Sequence, residues 1–440
     1  MSSPDVAARP DKTAWFTDAR FGMFIHWGPY AVYGRGEWVR SDEQMTFEDY
    51  EPAVAAFGGE DFDAREWARI AVDAGMKYAV LTAKHHDGYC MWDTAYTTYN
   101  SVHQPMGRDV VREYVDAFRE AGLKAGLYYS TIDWRHPDYP AFGDEFHPDR
   151  ENEAFRGREH NFDRYLDFMH AQVEELCANY GPLDILWFDF SYGEMTGEKW
   201  RATELIRMVR SYHPDILIDN RLETSGGGFG SVVTANPTEY AGDFVSPEQL
   251  IPPGGIRRED GSPVPWEANI TTNNNWGFHA ADDEFKSGSL ITRQLVECVS
   301  KGGNFLVNIG PDARGNVPEG SSTALAEVGA WLRTNGESVY GAGPAALDRP
   351  EWGVYTQRGN NLYAHIFLPI IGPMPMTGGL TRNQLGTITR LADHAELGQC
   401  TDWLVDPYGD LPFIQQGEKP WGTYRQPDEV DTVIRIELQD

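Results

Sequence analysis

Ionisable side chains follow directly after several apolar, strand-like segments of the chain. One such segment leads into His85 and His86, and another ends at His26. Asp189 and Arg221 close two further segments of the same kind. The carboxyl ends of parallel strands meet at one edge of a sheet or at one mouth of a barrel. The pattern therefore predicts a single site in which imidazole, carboxylate and guanidinium groups come together from four strands.

Two carboxylates at such a mouth are the pair that glycoside hydrolysis requires, one as nucleophile and one as proton donor. Asp189 ends a fully apolar strand, where a lone aspartate is as often a salt-bridge partner as a catalytic group. The other polar strand ends favour the catalytic interpretation. The pattern alone leaves the second carboxylate open, because four acids in the later part of the chain compete for that role: Glu239, Asp243, Glu248 and Glu267.

The consecutive residues His85, His86 and Asp87 also admit a metal site. Adjacent strand residues point to opposite faces, so the two imidazoles reach one ion only if the strand bends. Zinc sites also prefer wider ligand spacing. Neutral imidazole offers one donor and one acceptor, which suits a sugar hydroxyl. We therefore expect hydroxyl binding at this segment and neither a metal nor another cofactor.

The elements that carry these residues alternate between strand-like and helix-like segments over the first three-quarters of the chain. Apolar residues recur at helical spacing before Gly75 and before Gly122, and each glycine ends its helix. Further helices are predicted at about 162–180, 198–213 and 291–301. Strands are predicted at 77–85, 124–130, 184–190, 215–220 and 304–309, with a short one within 242–248.

Repeated units of one apolar strand and one amphipathic helix are typical of a parallel sheet buried on both faces. Seven or eight such units favour a closed (β/α)8, TIM-like barrel over a doubly wound sheet. No strand is followed by the G-x-G-x-x-G pattern of a dinucleotide site. The glycine-rich stretch 226–230 opens no helix, so we interpret it as a flexible loop rather than as a phosphate cradle.

After residue 336 the pattern changes to short alternating strands joined by turn residues, for example at 361–367 and 433–438. This segment predicts a C-terminal all-β sandwich with few site-like side chains. The predicted domains are a catalytic (β/α)8-type barrel over 1–338 and the β-sandwich over 339–440.

The overall composition narrows the class of partner. The net charge of −30 argues against nucleic acid and anionic membranes, because phosphate binding needs a basic surface. The 14 tryptophans suit sugar stacking and also suit a large core. The four cysteines lie far apart in the sequence, so free thiols are expected. The N-terminal segment lacks an apolar leader and no window reaches 18 apolar residues, so we expect a cytoplasmic protein; its oligomeric state is left open.

Six sequence motifs occur in order along the chain: RFGMFIHWG at 20–28, GEW at 36–38, TAKHHDG at 82–88, GLYYS at 126–130, LWFD at 186–189 and NFLVNIG at 304–310. Together they resemble those of the α-L-fucosidases, glycoside hydrolase family 29. The resemblance is strong from Trp15 to about Asn316 and loose over the β-sandwich. It implies a barrel followed by a β-sandwich, and retaining, exo-acting hydrolysis of α-L-fucosides through a covalent fucosyl-enzyme.

The resemblance also implies roles for single residues. Asp189 matches the family nucleophile, and Arg221 matches an arginine beside it. Phe24 and Trp276 match an apolar wall around the C6 methyl group of fucose, which leaves the 6-hydroxyl of other sugars without a partner. Six further residues match those that hold the sugar hydroxyls: His26, Glu37, Trp38, His85, His86 and Tyr128.

The acid/base residue is the least uniform position of the family. The segment from Asp243 to Glu248 resembles the acid/base segment of several members, so Glu248 is the first choice and Glu267 the second. Three alternatives stay open: the same scaffold acting on another L-sugar such as α-L-galactose, a fucose-binding protein that has lost catalysis, and a metal-dependent hydrolase. The sequence does not indicate which fucosyl linkage is preferred, and the 225–230 loop either covers the aglycone side or merely connects strands.

Overall fold

The structure is a computed structural model that describes residues 11–422 and 424–439 of the 440-residue chain. Residues 1–10, on which the expectation of a missing leader rests, lie outside the described part. None of the described helices is both long and apolar enough to cross a membrane. All four cysteines are buried and free, as expected.

Seven parallel strands form the first sheet, and their residues are almost completely buried. This agrees with their apolar sequences, because a parallel sheet covered by helices is apolar on both faces. The sheet order is β5-β4-β3-β2-β1-β7-β6. The strands are β1 (Phe21–Ile25), β2 (Tyr78–Lys84), β3 (Lys124–Ser130), β4 (Ile185–Asp189), β5 (Leu217–Ile218), β6 (Glu267–Thr271) and β7 (Asn304–Ile309).

The segment 244–248, here called the closing segment, fills the gap between β5 and β6. Phe244 forms a parallel bridge with Asp219 on one side, and Glu248 forms one with Asn269 on the other. Pro247 lacks an N–H group, which explains why the pairing is a series of bridges rather than a continuous ladder. With this eighth position occupied, the sheet closes into the predicted (β/α)8-type barrel.

Strand β5 is shorter than predicted, and a side chain explains why. The backbone N–H of Phe188 on β4 donates to Asp219 Oδ1 at 3.0 Å, where a longer β5 would offer a carbonyl. The carboxylate of Asp219 thus takes the place of the next ladder bond. The ladder with β4 accordingly stops at Ile218.

The helices between the strands begin at capping side chains and pack around the barrel. Asp63, Asp109 and Asn161 accept backbone N–H groups at the starts of three of them. The predicted helix at 198–213 begins late because Arg201 adopts a left-handed backbone, φ 50°. The helices are α1 (Ala14–Ala19), α2 (Val39–Asp42), α3 (Phe47–Ala56), α4 (Ala64–Asp73), α5 (Val110–Glu120), α6 (Phe162–Asn179), α7 (Ala202–Tyr212), α8 (Gly288–Ser300) and α9 (Glu319–Asn335).

The C-terminal part forms an eight-stranded antiparallel sheet with its own apolar core, in the order β11-β14-β13-β12-β15-β10-β9-β8. It is tied to the barrel through α9, because Trp331 Nε1 donates to the carbonyl of Asp431 at 2.9 Å. The boundary between residues 338 and 339 falls before β8 and stays a prediction. The strands are β8 (Gly343–Pro344), β9 (Gly353–Arg358), β10 (Asn361–Ile366), β11 (Met374–Pro375), β12 (Leu385–Arg390), β13 (Glu396–Gln399), β14 (Phe413–Gln415) and β15 (Thr432–Leu438).

Candidate active site

A pocket of about 190 Å³ opens at the carboxyl ends of the barrel strands. It is smaller than the roughly 300 Å³ at which pockets for drug-sized ligands begin, and it suits a single sugar ring. Every residue predicted for the site lines it, apart from the second-choice acid Glu267. These lining residues are Phe24, His26, Glu37, Trp38, His85, His86, Tyr128, Asp189, Arg221, Glu248 and Trp276.

One guanidinium group holds both carboxylates of the pocket. Arg221 Nη1 donates to Asp189 Oδ1 at 2.9 Å, and Arg221 Nη2 donates to Glu248 Oε2 at 3.0 Å. Ser246 fixes the arginine from behind, since its hydroxyl accepts from Nε at 2.9 Å. Tyr128 Oη donates to the other oxygen of Asp189 at 2.9 Å. The two carboxylates therefore lie within the span of one planar cation.

The two carboxylates differ in exposure. The side chain of Asp189 is 16% exposed and that of Glu248 is 38% exposed. Burial raises the pKa of Asp189 to about 6, against the opposing effect of the Arg221 charge, while the nearby Glu248 adds to the rise. Asp189 is thus the enclosed acid with a raised pKa, and Glu248 is the acid that solvent reaches more easily.

The tautomers of two imidazoles follow from their hydrogen bonds. His26 Nδ1 lies 2.7 Å from Asn308 Oδ1, and the Nδ2 of the same amide donates to the carbonyl of Trp276. His86 Nδ1 lies 2.7 Å from Ser130 Oγ, whose own proton goes to the carbonyl of Ile132. Both Nδ1 atoms therefore carry the proton. Each Nε2 is left as an acceptor for a ligand hydroxyl.

These imidazoles are neutral. Burial lowers the pKa of His26 to about 3 and places the pKa values of His85 and His86 well below the usual value. Neutral rings both accept and donate, as a ring of sugar hydroxyls requires. Among the described residues, no group of three or more His, Cys, Asp or Glu side chains could hold a metal ion.

His85 and His86 both reach the pocket because the strand has already ended. Strand β2 stops at Lys84, after a register shift against β3 between Thr82 and Lys84. The two rings then lie 4.0 Å apart between centroids. Asp87 turns away and accepts the hydroxyl proton of Tyr50 at 2.8 Å. Side chains alternate between the two faces of the strand only up to Lys84, so this rule does not apply to His85 and His86.

Glu37 and Trp38 come from the turn before α2 and close another side of the pocket. Glu37 Oε2 accepts the backbone N–H of Gly277 at 2.7 Å, and burial raises the pKa of its carboxyl. The indole of Trp38 packs edge-on against His86, 5.0 Å between centroids. The glutamate therefore ties the first barrel loop to the segment that carries Trp276.

The floor and one wall of the pocket are aromatic. Phe24 contacts Trp187 and Trp276 at centroid distances of 5.3 Å and 6.0 Å. Tyr128 stacks on Trp187 at 5.8 Å, and the Arg221 guanidinium lies 4.8 Å from the Trp187 ring. This wall presents carbon to any ligand group that it contacts, as the expected C6 methyl wall requires.

The other three acidic candidates lie elsewhere. Glu239 forms an ion pair with Arg207 on the surface, and Asp243 pairs with Lys12. Glu267 is the first residue of β6, at the end of the barrel opposite the pocket. Its carboxyl accepts from the hydroxyl of Tyr78, and burial raises its pKa to about 8. Among the four, only Glu248 meets Asp189.

Comparisons with known proteins agree with this geometry. The model of the α-L-fucosidase family matches residues 4–337. The chain belongs to the α-L-fucosidase family. The human plasma α-L-fucosidase is 30% identical over 351 residues, which cover 74% of this chain and 69% of that protein.

Solved structures of α-L-fucosidases extend over the whole chain. Isoenzyme 1 from Paenibacillus thiaminolyticus is 52% identical, covers 99% of this chain and 100% of its own, and superposes with a TM-score of 0.93. An α-L-fucosidase from Bacteroides thetaiotaomicron, trapped as a covalent intermediate with 2-fluoro-fucosyl fluoride, is 25% identical with a TM-score of 0.80. It covers 98% of this chain and 97% of its own.

The fucosidase pocket also contains residues that the sequence reasoning missed. Phe190 directly follows Asp189 and adopts a positive φ of 84°, which no local sequence signal announces for a phenylalanine. Tyr192 and Phe146 come from loops, and Tyr192 shares a hydroxyl contact of 2.8 Å with Tyr139. The remaining residues of this kind are Trp187, Ser191, Ser225, Gly226 and Asn269.

Proposed function

We propose that this pocket hydrolyses terminal α-L-fucosides by double displacement, with Asp189 as nucleophile and Glu248 as acid and base. The observation that carries the assignment is the shared contact with Arg221, which brings these two carboxylates together. Retaining glycosidases need their carboxyl groups closer together than inverting ones do. The family to which the chain belongs is that of the α-L-fucosidases. A relative trapped as a covalent intermediate supports a retaining mechanism.

In the first step an oxygen of the Asp189 carboxylate attacks the anomeric carbon. The bond from that carbon to the leaving oxygen breaks, and its electron pair stays on the leaving oxygen. Glu248 donates its proton to this oxygen, so the aglycone departs as a neutral alcohol. The product is a fucosyl ester of Asp189 and an ionised Glu248. The exposure of Glu248 supports the acid role, since an aglycone must reach it.

In the second step water replaces the ester. The Glu248 carboxylate takes a proton from water while the water oxygen attacks the anomeric carbon. The bond to Asp189 breaks, and the electron pair returns to the Asp189 carboxylate. Fucose leaves with its original anomeric configuration, and both acids regain their starting protonation states.

The rest of the pocket selects the sugar. The neutral imidazoles of His26, His85 and His86 bind hydroxyl groups in this proposal. The apolar wall of Phe24 and Trp276 faces the C6 methyl group. A 6-hydroxyl placed there would lose its water without gaining a partner, which disfavours α-L-galactosides. The substrate is thus a fucosylated oligosaccharide or glycoconjugate.

Three variants and azide test the roles. Asp189→Ala should abolish turnover of 4-nitrophenyl α-L-fucoside. Glu248→Ala should slow turnover, and azide should restore it by forming α-L-fucosyl azide from the covalent intermediate. With Asp189→Ala, azide should give the β-anomer instead, because it then attacks the substrate directly. Azide rescue of Glu267→Ala rather than Glu248→Ala would overturn the acid/base assignment.

A cytoplasmic location and the absence of nucleic-acid and membrane partners stay predictions. Fucosyl linkage preference is read by the loops around the pocket, and a panel of fucosylated oligosaccharides with identified products would measure it.

A further inference from the structure

The glycine-rich loop reaches the active site. A Cβ atom placed on Gly226 would lie 2.6 Å from Glu248 Oε2, and 2.7 Å from Nη2 and 2.9 Å from Cζ of Arg221. Real Cβ atoms essentially never approach other atoms so closely. The backbone of Gly226 thus packs directly against the carboxylate of Glu248, the proposed proton donor.

Space rather than backbone conformation explains the glycine here. The φ of Gly226 lies outside the left-handed region that favours glycine. Alanine can therefore adopt the same backbone, and only its methyl group meets an obstacle. The neighbouring Gly227 also lies outside that region, and a Cβ on it would have no atom within 4 Å.

One side chain fixes both partners of this contact. Asn220 Nδ2 donates to the carbonyl of Gly228 at 3.0 Å, which holds the loop. Asn220 Oδ1 accepts the backbone N–H of Ser246 at 3.1 Å, which holds the closing segment that carries Glu248. The Gly228 N–H donates to the Ser225 carbonyl at 3.0 Å and closes the turn between them. The distance from Gly226 to Glu248 is therefore set by a buried amide, and the loop is not merely a connection.

The Glu248 side chain has few other restraints. The side chain is 38% exposed, and within the described residues the only hydrogen bond of its carboxylate is the one from Arg221. We infer that Gly226 is a positioning residue for the proton donor. Because glycine has no side chain, the Glu248 carboxylate can occupy the space next to Gly226 and lie beside the leaving oxygen. This inference rests on the proposed role of Glu248.

The contact between Gly226 and Glu248 is tested with substrates whose leaving groups differ in their need for protonation. Glycosides of 2,4-dinitrophenol leave without protonation, whereas sugar aglycones require it. The comparison uses kcat/KM, which reports fucosyl transfer to Asp189, for 2,4-dinitrophenyl α-L-fucoside and for a fucosylated disaccharide. The variants are Gly226→Ala, its matched control Gly227→Ala, and Glu248→Ala. Circular dichroism and thermal unfolding establish that each variant folds.

Gly226→Ala should lower kcat/KM for the disaccharide at least about 10-fold and at most by the roughly 10²–10⁴-fold contribution of a general acid. It should change the dinitrophenyl substrate less than about 3-fold, and Gly227→Ala should leave both substrates unchanged. Equal losses on both substrates, or no loss on either, would overturn the inference. If Glu248→Ala itself keeps full activity on the disaccharide, the proposed function fails instead.

Discussion

Removing the charge of Arg221 should move the acid limb of the pH–rate profile to higher pH. Arg221 Nη1 lies 2.9 Å from Asp189 Oδ1, and its positive charge opposes the effect of burial, which raises the Asp189 pKa to about 6. A neighbouring arginine lowers an aspartate pKa by about 1 to 3 pH units. In Arg221→Met the Asp189 pKa should rise by that amount, because the largest effect that opposes burial and Glu248 is then removed, and the hydrogen bonds from Tyr128 and Phe190 remain.

The size of the effect follows from the fraction of Asp189, the proposed nucleophile, that is ionised. At pH 6 about half of Asp189 is ionised in the parent enzyme. A rise of 1 pH unit leaves about a tenth ionised, and a rise of 3 pH units leaves about a thousandth. The kcat/KM at pH 6 should therefore fall about 5-fold to 500-fold through ionisation alone. The loss should diminish as the pH increases, because a higher pH restores the carboxylate.

The assay is kcat/KM for 4-nitrophenyl α-L-fucoside between pH 4 and pH 9. Arg210→Met is the matched control, since Arg210 bonds Asp243 at 3.2 Å outside the pocket. Arg221→Lys keeps the charge but cannot serve both carboxylates with one planar group, so its acid limb should move less. A folded Arg221→Met enzyme with an unmoved acid limb would refute the reasoning that Arg221 keeps Asp189 ionised.

Three further changes test separate parts of the structure. Glu267→Gln should retain activity on fucosides, and denaturant unfolding should show its stability relative to the parent increasing between pH 5 and pH 8. The reason is that burial raises the pKa of Glu267 to about 8, so the carboxyl is neutral in the folded protein but ionises in the unfolded chain as the pH rises. This difference lowers the stability of the parent by at most about 4 kcal/mol over that pH range, and glutamine, which does not ionise, avoids the loss. Trp276→Ala should lower the ratio of kcat/KM for the α-L-fucoside over the α-L-galactoside by about 10-fold, as the methyl wall opens; an unchanged ratio would contradict the wall. Dialysis against a strong chelator should leave kcat unchanged, because the proposed reaction uses two carboxylates; activity that returns only with a divalent ion would contradict this.

The sequence predicted most of the barrel because its strands are apolar on both faces. The bounds of β3 and β7 are those expected, Lys124–Ser130 and Asn304–Ile309. The predicted strand bounds were less accurate where a side chain takes the place of a backbone carbonyl in the hydrogen bonds of the sheet. Asp219 accepts the N–H of Phe188 and ends β5 early. No local pattern contains such a contact, because its two members lie 31 residues apart.

For the site, the chemical type of a side chain predicted which polar residues line the pocket, but the sequence did not reveal which residues pack around them. His26, Asp189 and the other polar residues at strand ends were predicted because their groups can react or bind. Phe190 and Tyr192 were missed because, in the sequence, an aromatic residue that lines a pocket looks the same as one that packs in the core. Gly226 was interpreted as part of a flexible loop, and only the tertiary placement of Glu248 reveals the contact.

Chain direction alone separates the two proposed acids, and it is readable from the sequence. Glu267 precedes the apolar residues of β6, so it enters the barrel at the amino end of a strand. Glu248 follows Phe244 and Val245, so it leaves the barrel at the carboxyl end, where Asp189 also lies. In a parallel barrel every carboxyl end faces the same mouth. A carboxylate that follows an apolar strand therefore lies at the mouth that holds Asp189, whereas one that precedes such a strand lies at the opposite end of the barrel.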